Sequence, residues 1–188
     1  MFKPSRLLFL SLLLMPNALR AAELSFIPLP DLPGEVGRTS AHALSFNGEV
    51  AVGESFGFPF RWTKDSGMVA LGELPGNSND VSADGTVVVG SRALMAFRWE
   101  QDFGFTSLGE GFGPTTYASN VSADGRFSAG PSDGRAVRWT ADGHPEDLGV
   151  PTTLPVILSS DGSIAAGTRT DGRFSMPSVG PLLRVLFP

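Results

Sequence analysis

The stretch Val81-Ser82-Ala83-Asp84-Gly85-Thr86-Val87-Val88-Val89-Gly90 constrains this chain more than any other. Two apolar, β-prone arms flank an Asp-Gly pair, the strongest short-range signal for a β-hairpin. The pattern returns at Val121-Ser122-Ala123-Asp124-Gly125 and runs on to Gly130. It returns again at Leu44-Ser45-Phe46-Asn47-Gly48 toward Gly53, and at Leu158-Ser159-Ser160-Asp161-Gly162 toward Gly167. A chain that uses one hairpin module four times is a repeat protein, and the repeat sets its architecture.

Other landmarks keep step with the hairpin. Phe60-Arg61-Trp62, Phe97-Arg98-Trp99 and Val137-Arg138-Trp139 lie 37 and 40 residues apart, and Phe174-Ser175-Met176 follows 37 further on as a degraded copy. Leu71-Gly72, Leu108-Gly109 and Leu148-Gly149 repeat the same spacings, with Val185-Leu186 at the fourth position. One unit reads as four short strands: an arm ending at the Ser before Asp-Gly, the Val-rich arm after it, the Phe-Arg-Trp strand, and a strand ending near Leu-Gly. Val87, Val88 and Val89 make the second strand apolar on both faces, so its sheet is expected to be covered on both sides. The third strand is expected to place Phe97 and Trp99 on one face and Arg98 on the other.

These features predict an all-β, β-propeller-like array of four units of about 37–40 residues, each with up to four short antiparallel strands. The units run approximately over 35–72, 73–109, 110–149 and 150–186, within a single repeat domain at 23–188. Phe26-Ile27-Pro28-Leu29 repeats the fourth strand, so residues 24–32 are expected to form a leading strand, which either pairs into the last blade or is left spare by that unit's own fourth strand at 182–185. The array is either a small closed four-bladed propeller or an open part of a larger ring.

Residues 1–22 read as a cleaved signal peptide: Lys3 and Arg6, an apolar run from Leu7 to Met15 broken by Ser11, then Pro16 and small residues. The run is too short to span a bilayer, so no stable membrane span is expected in the mature chain. Removing this segment leaves 11 basic against 19 acidic residues, a net charge of about −8. So acidic a chain has no long-range electrostatic attraction to nucleic acid. The chain has no cysteine, which excludes disulfides, thiolate metal sites and thiol catalysis. The expected location is therefore secreted, periplasmic or on the cell surface.

Residues able to carry chemistry have structural readings beside them. Asp84, Asp124 and Asp161 each offer one carboxylate to a turn, where calcium needs six to eight oxygens at one point. Arg61, Arg98 and Arg138 are expected to be held by a turn or the neighbouring blade with their stems on an aromatic, the alternative being an Arg ring around a central channel. His42 and His144 hold no repeat position and read as surface residues. A glycosidase would need two neighbouring carboxylates among Glu54, Glu73, Glu100, Asp102, Glu110, Glu146 and Asp147. Asn120-Val121-Ser122 fits an N-glycosylation acceptor but lies inside the repeat. No catalytic, cofactor-binding or metal residues are assigned, and any site is expected where the units differ, after Gly34, Gly53, Gly90 and Gly111.

With the repeat laid out, the chain resembles the bacterial extracellular HAF repeat family. The matching residues are Arg61-Trp62-Thr63, Leu71-Gly72-Glu73-Leu74-Pro75-Gly76, Ser82-Ala83-Asp84-Gly85, residues 87–90 and Arg138-Trp139-Thr140-Ala141-Asp142-Gly143. The resemblance covers essentially all of residues 24–175 and implies a secreted or surface protein of β-propeller type. It implies no activity and carries over no catalytic residue. Residues 180–188 depart from the family in having no Pro-Glu-Pro sorting motif. The function expected is a non-enzymatic binding or scaffold module for a surface glycan, peptide or protein ligand. The alternatives are a structural fragment of a larger envelope or extracellular repeat protein and, behind it, a propeller hydrolase.

Overall fold

The computed structural model describes residues 24–34, 37–109 and 113–170, together with the backbone of 184–186. Its strands are grouped as the repeat predicts. The first sheet takes β1 (Thr39–Leu44), β2 (Val50–Ser55), β3 (Phe58–Thr63) and β4 (Gly67–Ala70) in sequence order. The second takes β5 (Gly76–Val81), β6 (Val87–Arg92), β7 (Met95–Glu100) and β8 (Gly104–Ser107). The third takes β9 (Asn120–Val121), β10 (Phe127–Ser132), β11 (Arg135–Thr140) and β12 (Pro145–Pro151). All three are antiparallel meanders.

The fourth sheet differs. β13 (Val156–Leu158) and β14 (Ile164–Gly167) pair antiparallel, but β15 (Arg184–Leu186) lies parallel to β14. The expected final strand is thus present in backbone, beside the second strand of its blade. The expected third strand around Phe174-Ser175-Met176 lies outside the described residues, as do residues 1–22.

Apolar layers between the sheets hold the stack together. Val50, Val52 and Leu71 of the first blade meet Val81, Val88 and Phe97 of the second. Val87, Val89, Ala96 and Leu108 of the second meet Ala118, Val121, Val137 and Trp139 of the third. Ala129, Ala136, Leu148 and Val150 of the third meet Val156 and Ala165 of the fourth. Successive residues of β6 therefore feed different layers, which is why that strand is apolar on both faces. Trp139 and Phe97 are almost wholly buried, and burial of such side chains stabilises each layer by about 1.5–3 kcal/mol apiece.

The leading segment corrects an expectation. Residues 24–34 form no strand; instead Leu29 and Leu32 pack on Ala51, Phe60, Trp62 and Met68, the outer face of the first sheet. Pro28, Pro30 and Pro33 remove three backbone donors from this segment, so it cannot sustain a ladder, but its leucines still cover apolar surface. Between the first and fourth sheets no hydrogen bond forms among the described residues, and the ring is open.

The Asp-Gly turns join the blades. In the second blade Ser82 Oγ donates to Asp84 Oδ1 and accepts from the Val87 N–H, while Asp84 Oδ1 also accepts from the Thr86 N–H. The third and fourth blades repeat this arrangement with Ser122 and Asp124 and with Ser159 and Asp161. Gly85, Gly125 and Gly162 have φ of +76°, +70° and +68°, which favours glycine. A Cβ on each would fall 2.4–2.7 Å from Val50, Val87 and Phe127 of the preceding blade. Each turn is seated in the blade before it.

Candidate functional site

The first strand of each blade, the inner strand (β1, β5, β9 and β13), would line a propeller's channel and display polar side chains there. Here they bridge blades. Asp80 Oδ2 accepts from the Val121 N–H and from Asn120 Nδ2, and Oδ1 from the Val81 N–H. Burial raises the Asp80 pKa, and the bonds from the Val121 and Val81 amides offset part of that. Asn120, at the matching position one blade on, accepts from the Leu158 N–H at 2.6 Å. With both side-chain atoms engaged between strands, Asn120 is not presented as a glycan acceptor.

One residue type was misread from sequence. His42 does hold a repeat position: it is the extra residue of a β-bulge in β1, where β5 has Asn79. Its Nδ1–H donates to the Ser78 carbonyl (2.9 Å), as Asn79 Nδ2 does to the Ala118 carbonyl and, one blade on, Ser119 Oγ to the Val156 carbonyl. Three residue types perform one donor task, so no identity pattern marked the site. His144 lies in the turn between β11 and β12, where its carbonyl accepts from the Thr140 N–H.

The repeated arginines do not ring a channel. Arg61 Nε and Nη2, Arg98 Nη1 and Arg138 Nη1 donate to the carbonyls of Gly85, Gly125 and Gly162, each the turn glycine of the following blade. Arg138 stacks 4.5 Å from the Phe127 ring, and Arg61 lies 5.9 Å from that of Trp99. Their carboxylate partners come from the sequence-named acidic group: Glu100 pairs with Arg98 and Glu146 with Arg138, while Asp147 pairs with Arg135. Glu110 lies outside the described residues. Among the described residues no group of three or more His, Asp or Glu side chains has a metal-binding arrangement.

The loops where the units differ come together at one end. Each meander places its second-to-third hairpin and its exit connector opposite the Asp-Gly turn, so the loops after Gly53 and Gly90 share a face with the described parts, residues 37–38 and 113–119, of those expected after Gly34 and Gly111. Backbone bonds stitch that face. Phe56, Ala93 and Asp133 donate to the carbonyls of Arg38, Pro75 and Thr115 in the connector ahead. Gly76, Thr116 and Thr152 donate to those of Gly57, Leu94 and Gly134 in the hairpin behind.

On this face Leu74, Leu94, Met95, Tyr117 and Leu154 are exposed, Leu94 to 60 %. The hairpin turns are of type I′, with both central residues at positive φ: Phe56-Gly57, Asp133-Gly134 and Ala93-Leu94. Ala93 and Leu94 adopt φ of +48° and +68° without a glycine, which costs about 1–2 kcal/mol per residue. A bulky apolar residue in a strained turn, pointing to solvent, contributes little to folding. These side chains were not singled out from sequence; the available signal was Ala93-Leu94 standing where the first and third units have glycine.

No family model and no curated protein matches the chain. Among solved structures it is similar to a putative TolB from Agrobacterium tumefaciens, with a TM-score of 0.50 and 15% identity, covering 64% of this chain and 50% of that one. TolB from Acinetobacter baumannii gives 0.49 and 16%, covering 64% of this chain and 35% of that one. A crystal structure of the mitotic checkpoint complex gives 0.47 and 19%, covering 85% and 53%. The chain spans between about a third and a half of these chains' lengths. At such identities the likeness concerns the fold alone: four blades of a β-propeller-like array whose ring is open.

Proposed function

We propose that this chain is an exported, HAF-type repeat protein that works as a non-catalytic binding module, taking a peptide or protein segment on its variable loop face. The observation that carries this reading is the exposed set Leu74, Leu94, Met95, Tyr117 and Leu154 on backbone pinned from both sides. A rigid apolar face lowers the ordering cost of binding and suits side chains of a polypeptide. A glycan would call for stacked aromatic platforms, and Tyr117 is the one aromatic in that set. Export to the envelope or beyond rests on residues 1–22, and the acidic balance disfavours nucleic acid. Among the described residues no helix is long and apolar enough to cross a membrane.

The hydrolase reading needs two adjacent inward carboxylates. Asp80, the acidic residue of the described inner strands, has both oxygens committed to amides. The reading as a structural segment of a larger repeat protein draws support from the open ring.

Panning a random peptide library against the immobilised chain tests the proposal. Enriched peptides should be apolar, and their affinity should fall about tenfold or more in a Leu94→Asp/Tyr117→Ala double variant. Phe103→Asp, at the opposite end of the sheets, should leave affinity unchanged. Peptides that bind the loop-face variant as well as the parent, or a glycan array that binds where peptides do not, would overturn it.

A further inference from the structure

The blade-to-blade contact is repeated three times along the chain, and among the described residues each end of the stack carries one unused half of it. The turn backbones form a one-way ladder: the Phe46 N–H donates to the Ala83 carbonyl, Ala83 to Ala123, and Ala123 to Ser160, at 3.0, 2.9 and 2.8 Å. Among the described residues the polarity of the ladder leaves an acceptor, the Phe46 carbonyl, at the leading end and a donor, the Ser160 N–H, at the trailing end. We propose that two copies of this chain join end to end, the fourth blade of each against the first blade of the other, and so close a ring of eight blades.

The leading end has the shape of an empty seat. Gly48 has φ +73° like its counterparts, yet a Cβ there would meet nothing within 4 Å, whereas those on Gly85, Gly125 and Gly162 would strike the preceding blade. Leu44 is 63% exposed, while Val81 and Val121, at its position in the next two blades, are buried in the layers ahead of them. Phe46 is 93% exposed where the following blades have Ala83, Ala123 and Ser160.

The trailing end matches it. Ile157 occupies the position of Asp80 and Asn120, whose side chains reach the next blade's Val121 and Leu158 amides. Ile157 is 58% exposed, and continuing the repeat would set it against Leu44 of the following blade. The two polar contacts inside the chain would be followed by an apolar one between chains. Leu29 and Leu32 already cover the outer part of the leading face, leaving its inner part, with Leu44 and the Phe46 turn, for the incoming β13 and β14. The contact is heterologous, so it gives a ring where its rotation closes and a filament where it does not; the proposal is the closed ring of two chains. Closure also removes the edges, and eight blades lies within the range propellers adopt.

Sedimentation equilibrium of the full chain should give the mass of two chains. Leu44→Asp and Ile157→Asp, each at an exposed position, should give the mass of one chain with thermal unfolding little changed. Because the chain has no cysteine, a Leu44→Cys/Ile157→Cys variant offers a clean cross-link under mild oxidation. The expected product is a covalent pair of chains. A single-chain mass for the parent, an intrachain bond that closes one chain on itself, no cross-link, or species of three and more chains would each overturn the proposal.

Discussion

Arg98 of the second blade is almost wholly buried and donates through Nη1 to the carbonyl of Gly125, the turn glycine of the third blade, 27 residues on. Removing the guanidinium leaves that carbonyl without its donor and Glu100 without its cation. Arg98→Met should therefore cost about 2–3 kcal/mol in denaturant unfolding. Arg61, less buried and with longer bonds of 3.3 Å to Gly85, should cost less when replaced in the same way. Equal and negligible losses at both positions would contradict the latch.

Gly125→Ala and Gly48→Ala separate backbone preference from blade docking. Both residues have φ near +70°, so each substitution carries the left-handed cost of about 1–2 kcal/mol. Only at Gly125 does the new Cβ fall 2.7 Å from Val87 Cγ2. Overpacking should add about 1–3 kcal/mol there, so G125A should unfold at clearly lower denaturant than G48A. This comparison is read on the single chain, with Leu44→Asp as the background.

Ser128 and Trp139 are cross-strand partners in β10 and β11, and among the described residues Ser128 Oγ and Trp139 Nε1 are buried without hydrogen-bond partners. The first two blades have Ala51 and Val88 at the serine's position, paired with Trp62 and Trp99. Ser128→Val should therefore leave stability unchanged or raise it by about 1 kcal/mol, since it removes an unsatisfied buried hydroxyl. A loss beyond about 1 kcal/mol in urea would show that the hydroxyl has a partner in solution.

Asp161 is held near a pKa of about 2, first by the Ser159 hydroxyl and then by the amide and hydroxyl of Ser163. A lowered carboxylate stabilises the fold above its ordinary value near 3.8, and that contribution is lost as pH falls through about 2. Asp80 runs the other way: burial raises its pKa, so its protonation as pH falls favours the folded chain. An NMR titration should place the Asp161 carboxyl near 2 and move it upward in Ser159→Ala. An unchanged value in that variant would remove the serine from the turn's design.

The strained turn gives a stability–function test. Replacing Ala93-Leu94 by Asn-Gly should raise stability by about 1–2 kcal/mol, because those residues suit type I′ geometry. The same change removes an exposed apolar side chain, so peptide capture on the loop face should weaken. Greater stability with undiminished capture would take Leu94 out of the binding face.

Much of this fold was legible without coordinates because a repeat makes one local decision several times. The spacing of Gly90, Arg98 and Leu108 from their counterparts located the strands, and the consecutive Val87, Val88 and Val89 indicated layers on both sides. Alternation placed Phe97 and Arg98 on opposite faces, as observed. The His42 bulge was illegible because its task needs only a donor, which Asn79 and Ser119 supply with other side chains. The leading segment was misjudged because Phe26-Ile27-Pro28-Leu29 repeats the pattern of the fourth strand, while the prolines in and beside it forbade a ladder.

The Asp-Gly module shows where sequence ends and tertiary structure begins. The bend at Ser82, Asp84 and Gly85 follows from the residues alone, since the hydroxyl, carboxylate and missing Cβ act within a few residues of one another. Blade packing adds what the local residues do not carry: the Gly85 carbonyl receives Arg61, 24 residues earlier, and Val50 lies where a Cβ on the glycine would fall. Local hydrogen bonding is written in neighbouring residues; the docking of one blade on the next depends on surfaces that exist only once both have folded.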